Sequence, residues 1–454
     1  MESIWQKETE LPKFPELTKD IKTEVLIIGG GLAGILTAYK LKEKGVNCIV
    51  VEKDRICQKV TGNSTAKITS QHGFCYSKIL KSNGFESAKM YLHANKKAIR
   101  EYEKLCEKIP CDFEKKDNFV YELQNMQLID DELKALWKMG FDAEFQEKLP
   151  LPIKPIGSIK FKNQAQFNPL KFIKGIVKDL NIYENTFVKK IDGNSAITEK
   201  SKITFKKAII ATHFPIINNH GLFFMKMYQH RSYVIALENA PEVNGMYVDQ
   251  SDYGLSFRNY ENLLLLGGGS HKTGKQGGNW QELRDFRRDH YPDSKEVAFW
   301  ATQDCKTLDH IPYIGPYFKG AQNLFVATGF NKWGMTNSMV SAMILSDMIT
   351  EKENPYAKAF DPSRSILKPQ LLVNGFESVK NLLTPTPKRC PHLGCALKWN
   401  KAEHSWDCPC HGSRFTEKGK LLESPAALRA AIRAVAAKIT LSTICFASFG
   451  CSSR

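Results

Sequence analysis

Thr23-Glu-Val-Leu-Ile-Ile28-Gly29-Gly-Gly31-Leu-Ala-Gly34 is the stretch on which the fold turns. An apolar run of this length, ending in glycines, reads as a strand buried on both faces of a parallel sheet. The glycines fit G-x-G-x-x-G. That turn needs glycine where φ is positive, where backbone approaches a pyrophosphate, and where helix packs on strand. Residues 32–44 continue with helical periodicity, and Gly45 suits the left-handed position beyond a helix end. Val46-Asn-Cys-Ile-Val-Val51 reads as a second strand, so the unit is βαβ. Its helix N-terminus faces the phosphates of a dinucleotide. Glu52 ends the second strand, where a carboxylate binds the adenosine ribose hydroxyls and disfavours a 2′-phosphate. FAD and NAD both remain open on this motif alone.

Outward from this unit, residues 1–20 read as an irregular leader. Residues 85–108 read as a helix or helical hairpin, 119–123 as a strand and 130–139 as a helix. Residues 187–191 and 203–205 look like antiparallel strands leading into a buried strand at 207–212. Alternating runs across 228–270 mark a second β-rich region. A late strand at 323–328 precedes an apolar helix at 336–349. Prolines 362, 369, 385 and 387 mark a linker, taken as 366–389.

A second chemical motif follows the linker: Cys390-Pro-His392-Leu-Gly-Cys395, then Cys408-Pro-Cys410-His411-Gly-Ser413. Two loops each offer a thiolate and an imidazole. Cys390 and Cys408 can hold one iron of a 2Fe–2S cluster, with His392 and His411 on the other. Two cysteines and two histidines also suit tetrahedral zinc.

The chain has 454 residues, enough for two or three domains, with 42% hydrophobic and 25% charged residues. Its formal net charge is +16, yet basic runs such as Lys96-Lys97 are short and no arginine-rich tract with interleaved aromatics occurs. Nucleic acid is therefore not the expected partner. No apolar run reaches membrane-spanning length, and the N-terminus lacks the apolar segment of a secretory signal. A cytoplasmic protein without a membrane partner is expected, with most of its 12 cysteines reduced.

Several segments resemble the D-amino-acid-oxidase-like superfamily of FAD-dependent oxidoreductases, in the subgroup carrying a C-terminal Rieske domain. They are Thr61-Gly-Asn-Ser-Thr-Ala-Lys67, Gln164-Ala-Gln-Phe-Asn-Pro-Leu170, Ala211-Thr-His-Phe-Pro215, Met227-Tyr-Gln-His-Arg-Ser-Tyr233, Leu308-Asp-His-Ile-Pro-Tyr-Ile-Gly315 and the turn Gly329-Phe-Asn-Lys-Trp-Gly334-Met-Thr336. The resemblance covers roughly residues 1–365. It implies an α/β fold: a Rossmann-like FAD-binding domain (mainly 21–80, 185–215 and 305–350) with an interleaved antiparallel β-rich substrate domain (mainly 85–180 and 220–300). It implies FAD contacts from Gly29, Gly31, Leu32, Ala33, Gly34, Glu52, Lys53, Thr61, Ser64, Thr65, Val188, Ala211, Thr212, Gly329, Gly334, Met335 and Thr336. Backbone N–H groups of the late helix would face the reduced flavin. Tyr228, Arg231, Tyr233 and Arg258 are the candidate substrate-binding groups, since a carboxylate substrate wants an Arg or Tyr clamp.

The sequence around the second motif is similar to a Rieske domain, with Trp399 and Trp406 bracketing its hairpin. That resemblance implies Cys390, His392, Cys408 and His411 as ligands and a Cys395–Cys410 disulfide linking the loops. The segment departs from the family at both ends. Residues 369–389 are too few for the strands expected before the first loop, and 426–454 are an atypical Ala-rich tail. Residues 390–425 are thus expected to be a partial, degenerate, small β Rieske-like segment that keeps its ligands but holds its cluster poorly. The expected function is oxidation of a small amine or amino acid by hydride transfer to flavin, with electrons passing to the iron–sulfur centre or an external acceptor. The alternatives are a flavin dehydrogenase of a non-amine substrate and a non-catalytic redox sensor or binding module.

Overall fold

The computed structural model describes residues 2–217, 221–364, 384–386, 388–391, 394–410 and 412–423. The leader contains a short helix, α1 (Ile4–Glu8). The opening unit forms as β1 (Ile21–Ile28), α2 (Leu32–Glu43) and β2 (Cys48–Val51). The first sheet has its main strands in the order Tyr313–Pro316, Leu324–Thr328, Lys202–Ile210, β1, β2, Ile182–Tyr183. Pairing is parallel from Leu324–Thr328 through to Ile182–Tyr183, with Ile28 opposite both Ile210 and Val51. The strand ends that follow Ile28, Val51, Ile210 and Thr328 therefore open on one side, where ligands of open α/β sheets bind.

The apolar run of β1 is explained by its burial. Val25 and Ile27 pack with Ile35 and Leu36 of α2 and with Met339 of the helix Gly334–Ile349. Leu26 and Ile28 face the other way, into a core with Phe205 and Tyr313.

The second sheet is the β-rich region. Its order is Lys295–Thr307, Met227–Glu238, Leu263–Lys272, Ser256–Tyr260, Met246–Asp249, Glu114–Glu122, Gly157–Gln166, Lys67–Ile68. Its pairings are antiparallel except that Met246–Asp249 runs parallel to Glu114–Glu122. The last pair joins the loop after β2 to this sheet, so the nucleotide and β-rich regions share a seam.

A third sheet, of four consecutive antiparallel strands, spans Lys398–Asn400, Ser405–Asp407, Arg414–Thr416 and Leu421–Glu423. Trp399 lies directly opposite Trp406 in its first hairpin, their ring centroids 5.0 Å apart.

Three expectations change. The leader is not simply irregular, because Ser3 caps α1 and Trp5 is fully buried. Residues 203–205 are not a separate strand: they begin the single strand Lys202–Ile210, whose antiparallel neighbour is Ser195–Ile197. The helix expected at 85–108 starts at Tyr76, with a break at Gly84, where φ is 84°. The linker at 366–389, apart from 384–386 and 388–389, and the tail at 426–454 lie outside the described residues. Among the described residues, no helix is long and apolar enough to cross a membrane.

Candidate functional site

The open side of the first sheet leads into one cavity of about 590 Å³. The glycine turn builds its floor. Gly29 has φ +114°, and a Cβ there would meet the Ala211 carbonyl oxygen at 2.4 Å. A Cβ on Gly34 would lie 2.0 Å from the Gly29 carbonyl oxygen, so this glycine is where α2 closes on β1. A Cβ on Gly31 meets only Thr61 Oγ1, at 3.7 Å, and otherwise points into the cavity. Glu52 is half-buried here and accepts the N–H of Gly30 at 2.8 Å and of Asp54 at 3.1 Å. Burial pushes its carboxyl above the usual range, against the pull of those two N–H groups.

The loop after β2 forms the next wall. Thr61 Oγ1 accepts the first helical N–H, from Leu32, at 3.0 Å. Residues 64–66 are fixed from behind: Trp5 Nε1 donates to Ser64 O at 2.7 Å, and Arg258 Nη1 donates to Thr65 O and Ala66 O at 2.8 and 2.9 Å. The far wall is the turn before the late helix. Gly329, Asn331 and Lys332 all have positive φ, the last at 73°. Trp333 gives the helix Gly334–Ile349 no side-chain cap. Its first N–H groups, at Gly334 and Met335, border the cavity and stand ready for an anion.

Of the seventeen positions expected to contact FAD, all but Gly34 and Thr336 line this cavity. Gly34 is a packing position. Thr336 is buried one layer back, donating to Thr69 O at 3.0 Å. The cradle that a Cβ would fill, the half-buried Glu52 carboxylate and the uncapped helix N-terminus together fit a flavin dinucleotide.

The candidate substrate groups divide. Tyr233 lines the cavity, and its hydroxyl lies 2.9 Å from both Glu403 Oε1 and His271 Nε2. Arg231, Arg258 and Tyr228 lie outside the cavity lining. Arg231 is no free clamp: Glu403 and Glu423 take its guanidinium, the latter at 3.0 Å. Arg258 is spent on the loop carbonyls of Thr65 and Ala66. Tyr228 sits between the ammonium groups of Lys272 and Lys306, which lie 5.6 and 5.9 Å from its ring centroid.

Sequence reasoning missed the charged end of the cavity. Lys332, Lys306, Asp252 and Asp304 all border it. Lys306 pairs with the Asp252 carboxylate, and Lys332 Nζ donates to Asp252 O at 3.0 Å. Burial lowers Lys332 to about 8, only partly opposed by Asp252. Burial likewise raises Asp304. A lysine inside a glycine turn was the available signal, because such a turn aims its side chains at whatever the helix N-terminus faces. His72, His213 and His310 border the cavity too. His72 stacks on Trp333 with ring centroids 5.0 Å apart, and burial lowers it to about 3, so the ring is neutral.

The second motif forms two loops of one design. Cys390 donates its N–H to Cys395 O at 2.9 Å and accepts from Gly394 N–H at 2.9 Å. Cys408 repeats the pattern with Ser413 O at 2.8 Å and Gly412 N–H at 2.9 Å. Gly394 and Gly412 have φ of 77° and 78°. Matched loops presenting buried Cys390 and Cys408 thiols suit a cluster bound between them. His392 and His411 lie outside the described residues. The sulfurs of Cys395, Cys408 and Cys410 lie within 4.8 Å of one another. Cys395 and Cys410, the pair expected as a disulfide, stand as free thiols in the structure, grouped with Cys408.

Comparison with known proteins finds a family match for each of the two regions. The family model "FAD dependent oxidoreductase" matches residues 24–348. The "Rieske [2Fe-2S] domain" model matches residues 368–436. The chain is similar to YhfW of Bacillus subtilis, named as a Rieske 2Fe-2S iron-sulfur protein, at 35% identity over 489 aligned positions spanning 94% of this chain and 96% of that one. Among solved structures it is similar to glycine oxidase from Geobacillus kaustophilus, with TM-score 0.65 and 17% identity over 76% of this chain and 99% of that one. L-proline dehydrogenase from P. horikoshii gives TM-score 0.63 and 17% identity over 77% of this chain and 98% of that one. At these identities the two enzymes establish the fold.

Proposed function

The chain belongs to the FAD-dependent oxidoreductase family and carries a Rieske 2Fe–2S domain C-terminal to it, and from that premise we propose that it oxidises a small amino acid and passes the electrons to its iron–sulfur centre. Bound FAD supplies the hydride acceptor, and a bound cluster supplies a one-electron acceptor. The chain's own residues hold and orient the substrate.

The observation that carries this reading is the charged end of the cavity. An amino acid bears a carboxylate and an amine, and Lys332 and Asp304 border one space beside the late helix. Below about pH 8 the Lys332 ammonium pairs with the substrate carboxylate. Asp304 offers an acceptor for the amine. The turn backbone at 329–334 fixes the lysine relative to the helix N-terminus, and this alignment matters more to hydride loss than a strong base does.

Anaerobic mixing with a panel of amines, amino acids and hydroxy acids, followed at the flavin absorption band, tests the proposal. Bleaching by an amino acid supports it, whereas bleaching by hydroxy acids alone overturns it. For the responsive substrate, Lys332→Met is expected to raise KM at least about tenfold, the loss of one charge-assisted hydrogen bond. Wild-type KM should rise as pH passes through about 8, because Lys332 loses its proton there.

A further inference from the structure

One wall of the flavin cavity is also the seat of the cluster-bearing loop. Gln303, on the strand Lys295–Thr307, is 2% exposed and lines the cavity. Its Nε2 donates to the Gly412 carbonyl at 2.8 Å, and its Oε1 accepts from Thr273 Oγ1 at 2.9 Å. Gly412 closes the Cys408 loop by donating to the Cys408 carbonyl. Gln229, on the neighbouring strand, packs on the same glycine: a Cβ there would lie 2.1 Å from Gln229 Cγ. Pro409, on the other side of the loop, rests on Gly274, where a Cβ would lie 2.6 Å from Pro409 Cβ. Leu422 and Glu423, from the last strand of the third sheet, complete the cavity lining. Cavity and loop are thus separated by the thickness of one side chain, that of Gln303.

We propose that Gln303 is the positioning residue of an internal electron-transfer junction, locking Gly412, and with it the Cys408 loop, against the flavin cavity. The proposal rests on the reading that the cluster receives the flavin's electrons. Oxidising an amine to an imine releases two electrons and two protons. The protons pass to water. The electrons leave singly, because the cluster takes one as a ferric iron becomes ferrous. A one-electron carrier protein drains it after each. Thr273 orients Gln303 by holding its amide oxygen, which leaves the amide nitrogen aimed at the loop. A glutamine only packing the wall would need neither bond.

The test uses the full chain loaded with FAD and cluster. The flavin is photoreduced anaerobically with light and EDTA, so no substrate is required, and freeze-quench EPR follows cluster reduction. Amide hydrogen exchange over residues 405–416 gives a second readout that does not depend on turnover. Gln303→Leu should retain FAD and iron, slow cluster reduction by about tenfold or more, and speed exchange of the loop amides by a similar factor, as loss of a supporting hydrogen bond around a metal site does. Thr273→Val keeps the glutamine but removes its orienting partner, and should shift both readouts the same way by less. It carries the test if Gln303→Leu does not fold. Wild-type behaviour of both variants in both readouts overturns the junction. If the wild-type cluster is not reduced by photoreduced flavin, the electron-transfer reading falls instead, and loop exchange alone then decides whether Gln303 holds the loop.

Discussion

The three glycines of the G-x-G-x-x-G motif look alike in sequence, and each does a different job. Gly29 needs its positive φ. Gly34 needs its missing Cβ, since an alanine methyl would lie 2.0 Å from the Gly29 carbonyl oxygen. Gly31 needs neither for folding, because its Cβ would meet only Thr61 Oγ1 at 3.7 Å. Gly34→Ala is therefore expected to push α2 off β1 and destabilise the apoprotein by about 3 kcal/mol, the upper range for overpacking. Gly31→Ala should unfold with the wild-type apoprotein yet bind FAD more weakly, since its methyl enters the cavity. Urea unfolding of the apoproteins and flavin-fluorescence titration separate the two; equal unfolding midpoints for both variants would contradict this division. The limit of sequence reading also shows at single residues. Arg231 and Arg258 read in sequence as candidate substrate clamps, but their actual partners, Glu403 and the carbonyls of Thr65 and Ala66, come from chain segments about 170 and 190 residues away. No local pattern encodes which way such a side chain turns.

Among elements, α1 bears on the flavin loop out of proportion to its five residues. Ser3 Oγ donates to Gly62 O, and Trp5 Nε1 to Ser64 O at 2.7 Å. The Trp5 ring is fully buried, edge-on to Tyr260 with centroids 4.6 Å apart, and lies under the Arg258 guanidinium. The helix thus braces the outer wall of the cavity. Trp5→Ala should cost about 3–5 kcal/mol, as truncation of a buried aromatic does. FAD affinity should fall with it, because residues 61–65 lose their backing. Thermal melts with and without added FAD measure both effects; an unchanged FAD affinity would mean that the loop needs no brace. A five-residue helix carries too little periodicity to be read from hydrophobic spacing. The usable sign was Ser3-x-x-Gln6, a capping box that the structure forms in both directions. Longer elements were legible because their burial is regular: β1 is apolar on both faces, and the late helix is buried nearly all round.

At the scale of the molecule, the two redox motifs were each legible because each is local, whereas the way they meet was not. The meeting is a buried ion network. Arg231 from the second sheet binds Glu403 and Glu423, and Arg414 binds Glu403 at 2.8 Å and Asp407 at 2.9 Å. Four of these residues, Glu403, Asp407, Arg414 and Glu423, lie past the first cluster loop, in a segment whose sequence reads as a degenerate fragment. Their charges look like ordinary surface until Arg231 is set among them. Removing one member of such a buried network leaves uncompensated charge and costs about 3–5 kcal/mol. Arg231→Met should therefore loosen the third sheet from the second while the flavin domain, which does not use this residue, stays folded. Limited proteolysis should release a C-terminal fragment from the variant and leave FAD bound to the remainder. Acid should do the same to the wild type. The neighbouring Arg231 and Arg414 hold the Glu403 carboxyl down to about 2 despite its burial. A carboxyl depressed in the folded state stabilises the docked form fully above its ordinary value near 4.5, and loses that contribution as pH falls towards 2. Protease susceptibility of the C-terminal segment is thus expected to climb across that window, and the Arg231→Met variant should already be cleaved rapidly at neutral pH. A variant as resistant as the wild type at neutral pH would mean that the apolar contacts and the Gln303–Gly412 bond hold the domain without the ion network.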